Sequence, residues 1–373
     1  MRATSTEPLD LSVALISSYA TGGIWSGDKF HEFVEGALRA DAPSRTVTPD
    51  LYLLMESDVH YWTNRFQSSS VTPVPAIRFL AGLTDDKIDQ ITDGVWENLG
   101  GTCPVAISTF LPEISLSKNN PRADLAASAI RNLLFLTVKI GASFMQRTDG
   151  AKTPVIQLVA GNEFESIHGE WSEARSRDEF NVKISDEKDA YGLILERLSE
   201  CFQDLETKCG AENDLSLAFE QLRVSFELEP GALYLLDGKE SIKRFCELID
   251  TGGAKQCPFV KEKVGFNLDI AHWWLKKIPP SFLTENPNVA ERVFHSHVSG
   301  HSARAHFGDI SLAELTPADK VEFVEWLTAL AKLSRDTFSG HVSLEFEAAP
   351  SSKAVAQSLQ QLFDFIERPD QYR

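Results

Sequence analysis

The sequence has few of the features that mark secreted proteins and nucleic-acid-binding proteins. Its five cysteines are an odd number, lie far apart and form no C-x-x-C pair, so reduced thiols are expected rather than disulfides or a zinc cluster. Basic residues are also scarce, because 36 Lys and Arg stand against 54 Asp and Glu. The resulting net charge of -18 repels polyanions, and we therefore expect no nucleic-acid partner.

Long apolar runs and targeting signals are missing as well. No apolar run approaches the roughly 18 to 20 residues of a membrane span, and the first ten residues, MRATSTEPLD, lack the pattern of a signal peptide. There is no G-x-x-x-x-G-K-S phosphate-binding loop, no internal repeat and no low-complexity linker. These absences predict a cytoplasmic protein without a membrane partner, organised as a single domain over residues 1–373.

What the sequence does contain is a regular alternation of β-branched apolar segments with amphipathic segments. This alternation is typical of β-α units, and eight units over roughly 250 or more residues favour an α/β fold of the (β/α)₈ TIM barrel type. The predicted strands cover residues 11–18, 76–81, 104–111, 154–160, 222–229, 264–269, 293–298 and 342–347.

Two segments are long for simple connections between these units. Residues 41–75 carry several aromatic side chains and are predicted to form an extra helix or a cover, with residues 51–55 as an alternative second strand. Residues 161–189 are rich in Glu, Arg and Asp. Both segments are interpreted as insertions or lid loops over the C-terminal mouth of the barrel, although a solvated loop is an equal alternative for residues 161–189.

Four predicted strands in the second half of the chain end in side chains that bind metal ions. Side chains alternate across a strand, so acids or histidines two positions apart point the same way. The carboxyl ends of barrel strands meet at one face, where an unpaired buried charge would cost several kcal/mol. One shared metal site explains all four strands, whereas helix caps and solvated edges must explain each separately. The side chains concerned are Glu227, Glu229, Asp269, His272, His295, His297, Glu345 and Glu347.

These segments resemble the xylose isomerase-like TIM barrels, a superfamily that includes sugar phosphate isomerases and epimerases, ketose 3-epimerases and endonuclease IV. V-S-F-E-L-E-P-G is similar to the fifth-strand pattern of the family, N-L-D-I-A-H to its Asp-x-x-His, H-S-H-V-S-G-H to its ligand histidine, and V-S-L-E-F-E to its eighth strand. The resemblance implies one divalent metal ion, with Mn²⁺ favoured over Mg²⁺, Co²⁺ or Zn²⁺. The implied ligands are Glu227, Asp269, His297 and Glu345.

The resemblance also implies roles in proton transfer. Glu227 and Glu345 would act as the acid and base as well as ligands, moving a proton next to a carbonyl through an enediolate. Spacing alone selects Glu227 over Glu229 and Glu345 over Glu347, so the alternative stays open in both strands. The implied substrate-binding residues are His272, His301, Arg304, Glu229, Glu347 and His306.

Some of these residues also have structural interpretations. Glu229 and Glu347 could instead form ion pairs, for instance with Arg223 or Arg292. His295 is expected to support the site or to pack beneath it. Trp273 and Trp274 are more typical of core packing than of a sugar platform.

The expected function is a metal-dependent isomerase or epimerase acting on a sugar or cyclitol. A dehydratase or lyase acting on a keto-sugar or oxidised glycoside shares the same base, metal and intermediate, and stays open. An endonuclease IV-like phosphodiesterase is disfavoured, because residues 11–18 and 104–111 contain no histidine. The remaining alternative is a binding protein without catalytic activity. The expected partner is a small sugar-like molecule, and a homo-oligomer stays open.

Overall fold

Eight parallel strands close into a barrel, so the predicted TIM barrel is confirmed. The computed structural model describes residues 7–16, 33–34, 36–37, 45–63, 74–161, 164–166, 180–182, 187–210, 213–231, 233–252, 257–301, 310–346 and 351–372. The barrel strands are β1 (Ser12–Ile16), β2 (Val47–Leu53), β3 (Ala106–Thr109), β4 (Val155–Val159), β7 (Arg223–Glu227), β8 (Val264–Asp269), β9 (Val293–Val298) and β10 (His341–Leu344). Their order around the barrel is β1-β10-β9-β8-β7-β4-β3-β2.

A short antiparallel pair interrupts this alternation after β4. It consists of β5 (Phe164–Ser166) and β6 (Phe180–Val182). Both lie in the segment predicted as an insertion, and β6 is followed by a long helix that begins at Glu187.

Helices follow most barrel strands and cover the outside of the barrel. Two of them begin with threonine caps, in which the Thr84 and Thr316 hydroxyls accept from backbone N–H groups three residues on. The helices in the described residues are α1 (Asp58–Thr63), α2 (Ala76–Ala81), α3 (Asp85–Asn98), α4 (Ala123–Met145), α5 (Glu187–Cys209), α6 (Asn213–Gln221), α7 (Lys239–Thr251), α8 (Pro258–Lys263), α9 (Ile270–Leu275), α10 (Ser281–Glu285), α11 (Pro287–Ala290), α12 (Pro317–Leu330) and α13 (Ser352–Glu367).

The prediction of the second strand at residues 76–81 is wrong, because these residues form α2. Ile77 and Leu80 are buried on one face of this helix and Arg78 is exposed, which is a helical spacing. The true second strand is β2, which overlaps the alternative at residues 51–55 and lies in a segment interpreted as an insertion. Pro49 and Asp50 interrupt its apolar pattern, so the pattern indicates only the second half of this strand.

Helix α4 is an exception to the expectation that no segment has the length and apolar character of a membrane span. It has 23 residues and a mean hydropathy of 1.4 in its most apolar window, of which 67% is buried inside the protein. The helix packs against the helices beside it, and the core helix of a soluble protein has the same length and composition. Length and composition alone are therefore weak evidence for a membrane span.

A β-bulge in β9 sets the direction of the side chains that follow it. Phe266 pairs with Val293, whereas the next residue, Asn267, pairs with His295, so Phe294 is the extra residue. The Phe294 ring packs in a small apolar cluster with Ala14 of β1, Ala106 of β3 and Val155 of β4, and with Val105, which directly precedes β3. This apolar layer lies towards the N-terminal ends of the strands.

Gly265 makes room for the bulge. A Cβ at this position would lie 2.6 Å from the Phe294 ring and closer still to the Arg292 carbonyl oxygen. We predict that Gly265→Ala destabilises the fold by about 1–3 kcal/mol, because inserted atoms force a packed core to shift. Unfolding in urea would measure the change.

Gly192→Ala is the matched control for this substitution. Gly192 lies inside α5, and a Cβ there would meet no atom within 4 Å. Alanine should therefore stabilise the protein by about 0.5–1 kcal/mol through helix propensity. Equal effects of the two substitutions would contradict the packing that we describe at the bulge.

Candidate metal centre

All four predicted metal ligands come together at the C-terminal end of the barrel. Glu227 and Asp269 are the last residues of β7 and β8, His297 is next to last in β9, and Glu345 directly follows β10. One ligand atom from each of the four lies within 4.8 Å of the others. Two ligands of one ion at about 2.2 Å each can be at most roughly 4.4 Å apart, so this spacing is close to what coordination requires.

Glu227 is held in place by side chains from three neighbouring elements. Its Oε2 accepts hydrogen bonds from Gln157 Nε2 at 2.5 Å and Asn267 Nδ2 at 2.8 Å. Its Oε1 lies 3.0 Å from His272 Nδ1. Burial alone would raise the pKa of Glu227, but the neighbouring imidazoles of His272 and His297 hold it well below its ordinary value. Glu227 is therefore ionised at neutral pH.

His272 links the two acids of the fifth predicted strand. Its Nδ1 lies 3.0 Å from Glu227 Oε1 and 3.0 Å from Glu229 Oε2. Burial would lower the pKa of His272, but Glu229, Asp269 and Glu227 raise it well above its ordinary value. The backbone N–H of His272 also donates to Asp269 Oδ1 at 2.9 Å, which caps helix α9.

The ion-pair partner of Glu229 therefore differs from those that we expected. The partner is His272, whereas Arg292 pairs with Asp250. Arg223 donates to backbone carbonyl groups. Glu229 also lies beyond the end of β7, and it is Glu227 that joins the four-residue cluster.

His297 connects the cluster to the barrel interior. Its Nδ1 lies 2.6 Å from Glu345 Oε2 and 3.3 Å from Glu227 Oε2, yet it has no partner in hydrogen-bond geometry among the described residues. On the other side of the ring, Nε2 lies 3.3 Å from Ser108 Oγ and 3.5 Å from Asp50 Oδ2. A proton on Nε2 leaves the Nδ1 lone pair free to bind a metal ion.

Asp50 is the residue of the site that the sequence did not reveal. It lies fully buried in β2, and its Oδ2 is 2.9 Å from His295 Nε2. Its Oδ1 accepts from Ser108 Oγ at 3.0 Å. Burial alone would raise the pKa of Asp50, but hydrogen bonds from His295 and His297 hold it well below its ordinary value. Asp50 is therefore placed to orient His297, as carboxylates commonly orient histidines that bind a metal ion.

Glu345 differs from Glu227 in its protonation. Burial raises the pKa of Glu345 to about 8, His297 opposes this change, and the neighbouring Glu227 and Asp269 add to it. For His297, burial would lower the pKa, but the carboxylates around the ring raise this pKa well above its ordinary value. Three carboxylates and one unpartnered imidazole nitrogen are the donors that a divalent cation prefers, so these residues fit a metal ion.

Two further groups of acids and histidines are close enough to hold a metal ion, and both share a member with the first. Asp50, His295 and His297 form one group, and Glu227, Glu229 and His272 form the other. In the first of these groups both imidazoles contact the Asp50 carboxylate, and in the second His272 Nδ1 lies 3.0 Å from both glutamates, so each group already has contacts between imidazole and carboxylate. The first cluster has an excess of carboxylates and an imidazole nitrogen without a hydrogen bond, which favours the cation there.

The remaining predicted residues are only partly described. His301 is buried and stacks on Trp274 with ring centroids 4.4 Å apart. Neither ring nitrogen of His301 has a hydrogen-bond partner among the described residues, and burial lowers its pKa to about 4. Trp273 packs edge-on against Trp326 in the core. Three predicted substrate-binding residues lie outside the described residues, namely Arg304, His306 and Glu347.

A small pocket opens above the cluster. Its volume is about 60 Å³. Its wall includes aromatic and polar side chains that the sequence analysis did not identify. Several of these side chains belong to β2, β3 and β4 or directly follow them. The lining residues are Tyr52, Thr109, Phe110, Gln157, Val159, Glu227, Glu229, Asp269, His272 and Glu345.

Comparison with known proteins supports the fold. No protein-family model matches the chain, and no curated protein sequence matches it. The crystal structure of protein SMc04130 from Sinorhizobium meliloti 1021 has a TM-score of 0.51 at 9% identity, covering 95% of this chain and 96% of that one. The apo form of 3-keto-D-glucoside 4-epimerase, YcjR, from E. coli has a TM-score of 0.48 at 10% identity, covering 94% and 97%.

A third similar structure is a Bacteroidetes-affiliated GH5 cellulase linked with a polysaccharide utilization locus. Its TM-score is 0.43 at 12% identity, covering 98% of this chain and 95% of that chain. At 9% identity, the similarity to SMc04130 supports the fold alone, and the activity has to be argued from the site itself.

The protonation of the cluster predicts that metal binding releases protons. Glu345 and His297 both carry protons in the metal-free protein near neutral pH, because their pKa values are raised. A cation must displace these protons, so Mn²⁺ affinity should rise as the pH increases from about 6 to about 8. Calorimetry in buffers of different ionisation enthalpy counts the released protons, and an affinity that does not vary with pH would contradict the assignment.

Asp50→Asn tests the orientation of His297. An amide cannot accept from both imidazoles and from Ser108 as the carboxylate does. We predict that Mn²⁺ affinity falls about 10- to 100-fold, which is typical for loss of a carboxylate that supports a ligand histidine. Asp149→Asn, at an exposed position, is the control. A folded Asp50→Asn protein with unchanged metal affinity would show that Asp50 does not position the ligand.

Proposed function

We propose that the protein is a metal-dependent isomerase or epimerase that moves a proton at a carbon next to the carbonyl of a sugar or cyclitol. The observation that carries this proposal is the pair Glu227 and Glu345. These two carboxyl groups reach one cluster from different strands and have opposite changes in pKa. Pairs of acids whose surroundings separate their pKa values are typical of acid and base assignments.

The proposed cofactor is one divalent cation, with Mn²⁺ favoured by the mixture of carboxylate and imidazole donors. Glu227, Asp269, His297 and Glu345 would hold it. When bound, such a cation supplies Lewis-acid chemistry, which lowers the pKa of a C–H group next to a carbonyl.

Proton transfer would use the two glutamates in complementary roles. Glu227 is ionised and hydrogen-bonded to Gln157 and Asn267, which fix its carboxylate as a base. Burial raises the pKa of Glu345, so its carboxyl group would be the member of the pair better suited to carry a proton and return it. Because β8 and β9 separate β7 from β10 in the barrel, the two groups approach the pocket from different directions. This arrangement suits removal of a proton on one side of a carbon and its return on the other.

The wall of the pocket would orient the substrate. His272 lines the pocket and is protonated, because the carboxylates beside it raise its pKa. It is therefore suited to donate a hydrogen bond to a substrate oxygen. Tyr52 and Phe110 add aromatic surface of the kind that packs against sugar rings.

A lyase or dehydratase is the second candidate, and the raised pKa of Glu345 supports it. A protonated carboxyl group beside a base could give its proton to a leaving group once the neighbouring C–H proton has been removed. An endonuclease IV-like phosphodiesterase lacks this support, because β1, β3 and β4 contain no histidine.

Glu345→Gln should abolish turnover while keeping the fold. Glutamine has the same shape but cannot hold or transfer the proton, so we predict a loss of about 10²- to 10⁴-fold in kcat. Deuterium incorporation next to the carbonyl, followed by NMR in D₂O with Mn²⁺ and a panel of keto-sugars, measures proton transfer directly. Ultraviolet absorbance of an unsaturated product separates the lyase from the epimerase.

Glu314→Gln is the control, because Glu314 is an exposed glutamate in a short 3₁₀ helix. It should keep full activity. Full deuterium incorporation by the Glu345→Gln protein would refute the assigned role. Failure of the unaltered protein to catalyse any exchange with Mn²⁺ bound would favour a binding protein without catalytic activity.

A further inference from the structure

A second and larger pocket lies at the opposite end of the barrel, where the strands begin. Its volume is about 660 Å³, within the usual range for pockets that bind small molecules. The residues around it include Thr48 of β2, Val155 of β4, Arg223 of β7 and His341 of β10. None of these residues belongs to the candidate metal centre, so the two pockets are separate.

Positive charge is concentrated around this pocket. Lys152, Arg223 and Arg335 line it, and Asp336 is the one acidic residue among its described lining residues. The chain as a whole carries a net charge of -18, so this local excess of cations runs against the overall composition. A positive pocket on an acidic protein focuses small anions onto one place.

Arg223 forms no ion pair within the described part of the chain. It is partly buried, and its Nη1 donates to the carbonyl oxygens of Glu220 at 3.0 Å and Leu222 at 2.9 Å. Burial lowers the pKa of Arg223, and the charge of Glu262 opposes this change. Arg335, by contrast, pairs with Asp10 at 3.1 Å. A cation that is partly removed from water gains most from an anion placed beside it.

We propose that this pocket binds a small oxyanion, the phosphate or carboxylate group of a metabolite, with Arg223 and Lys152 as its charged partners. The guanidinium group of Arg223 offers planar donors that match either group, and the ammonium group of Lys152 adds a second charge from the segment that leads into β4. The hydroxyl group of Thr102 in the same lining can donate to one of the remaining oxygens. The pocket has the size for a single metabolite.

Calorimetry with the full-length, metal-free protein tests this proposal. The protein is titrated with inorganic phosphate and, separately, with succinate, at constant ionic strength in chloride buffer. We expect Lys152→Gln to weaken binding about fivefold and Arg223→Gln about tenfold or more, because each removes a charge-assisted hydrogen bond. Tighter binding of phosphate or of succinate shows which group the natural ligand carries.

Lys332→Gln is the matched control, since Lys332 is an exposed lysine that does not line this pocket. It should bind either anion as the unaltered protein does. Arg223 also binds two backbone carbonyls, so melting curves must show that the Arg223→Gln protein is folded. If the Arg223→Gln protein does not fold, the test rests on Lys152→Gln alone. The Lys152 side chain is exposed, so its replacement should leave the fold intact. Binding of neither anion by the unaltered protein, or equal binding by the Lys152→Gln and Lys332→Gln proteins, would overturn the proposal.

Discussion

The contact between Asp50 and two buried histidines is the interaction on which the candidate metal centre depends. Asp50 lies in β2, and His295 and His297 lie in β9, so the interaction connects two parts of the barrel that are 245 residues apart in sequence. A buried carboxylate without partners would be costly, and so would two buried imidazoles. Together they satisfy one another, and His297 is held with its Nδ1 towards Glu227 and Glu345.

The barrel interior is divided into an apolar layer and a polar layer, and the bulge at Phe294 lies between them. Below it, the Phe294 ring packs against Ala14 and Val155. Above it, the side chains of His295 and Asp50 begin a hydrogen-bonded network that reaches the cluster. The apolar layer gives the barrel a packed centre, and the polar layer places ionisable groups where water is excluded. Electrostatic interactions are strong in such a place, which explains the large and opposite changes in pKa of Glu227 and Glu345.

Charge is also sorted between the two ends of the barrel. Carboxylates are concentrated at the carboxyl ends of β7, β8 and β10, where they favour binding of a cation. Basic side chains are concentrated around the pocket at the other end, where they favour binding of an anion. Parallel strands make this sorting possible, because every strand delivers its last residues to one face and its first residues to the other.

The sequence by itself determined the barrel and the four strands that carry the cluster. Both follow from local patterns: apolar alternation marks the strands, and parallel strands bring their last residues together. The choice of ligand within each strand came from the family resemblance. The sequence offered part of β2 only as an alternative second strand, because Pro49 and Asp50 break its apolar pattern, while the apolar residues 76–81 pack as a helix. Only the tertiary structure decided the partners of buried polar residues. Asp50, Gln157 and Asn267 have no local signal, since each is fixed by a side chain on a different strand. Tertiary contacts also separated Glu227 from Glu229, because the strand ends at Glu227 and His272 holds both.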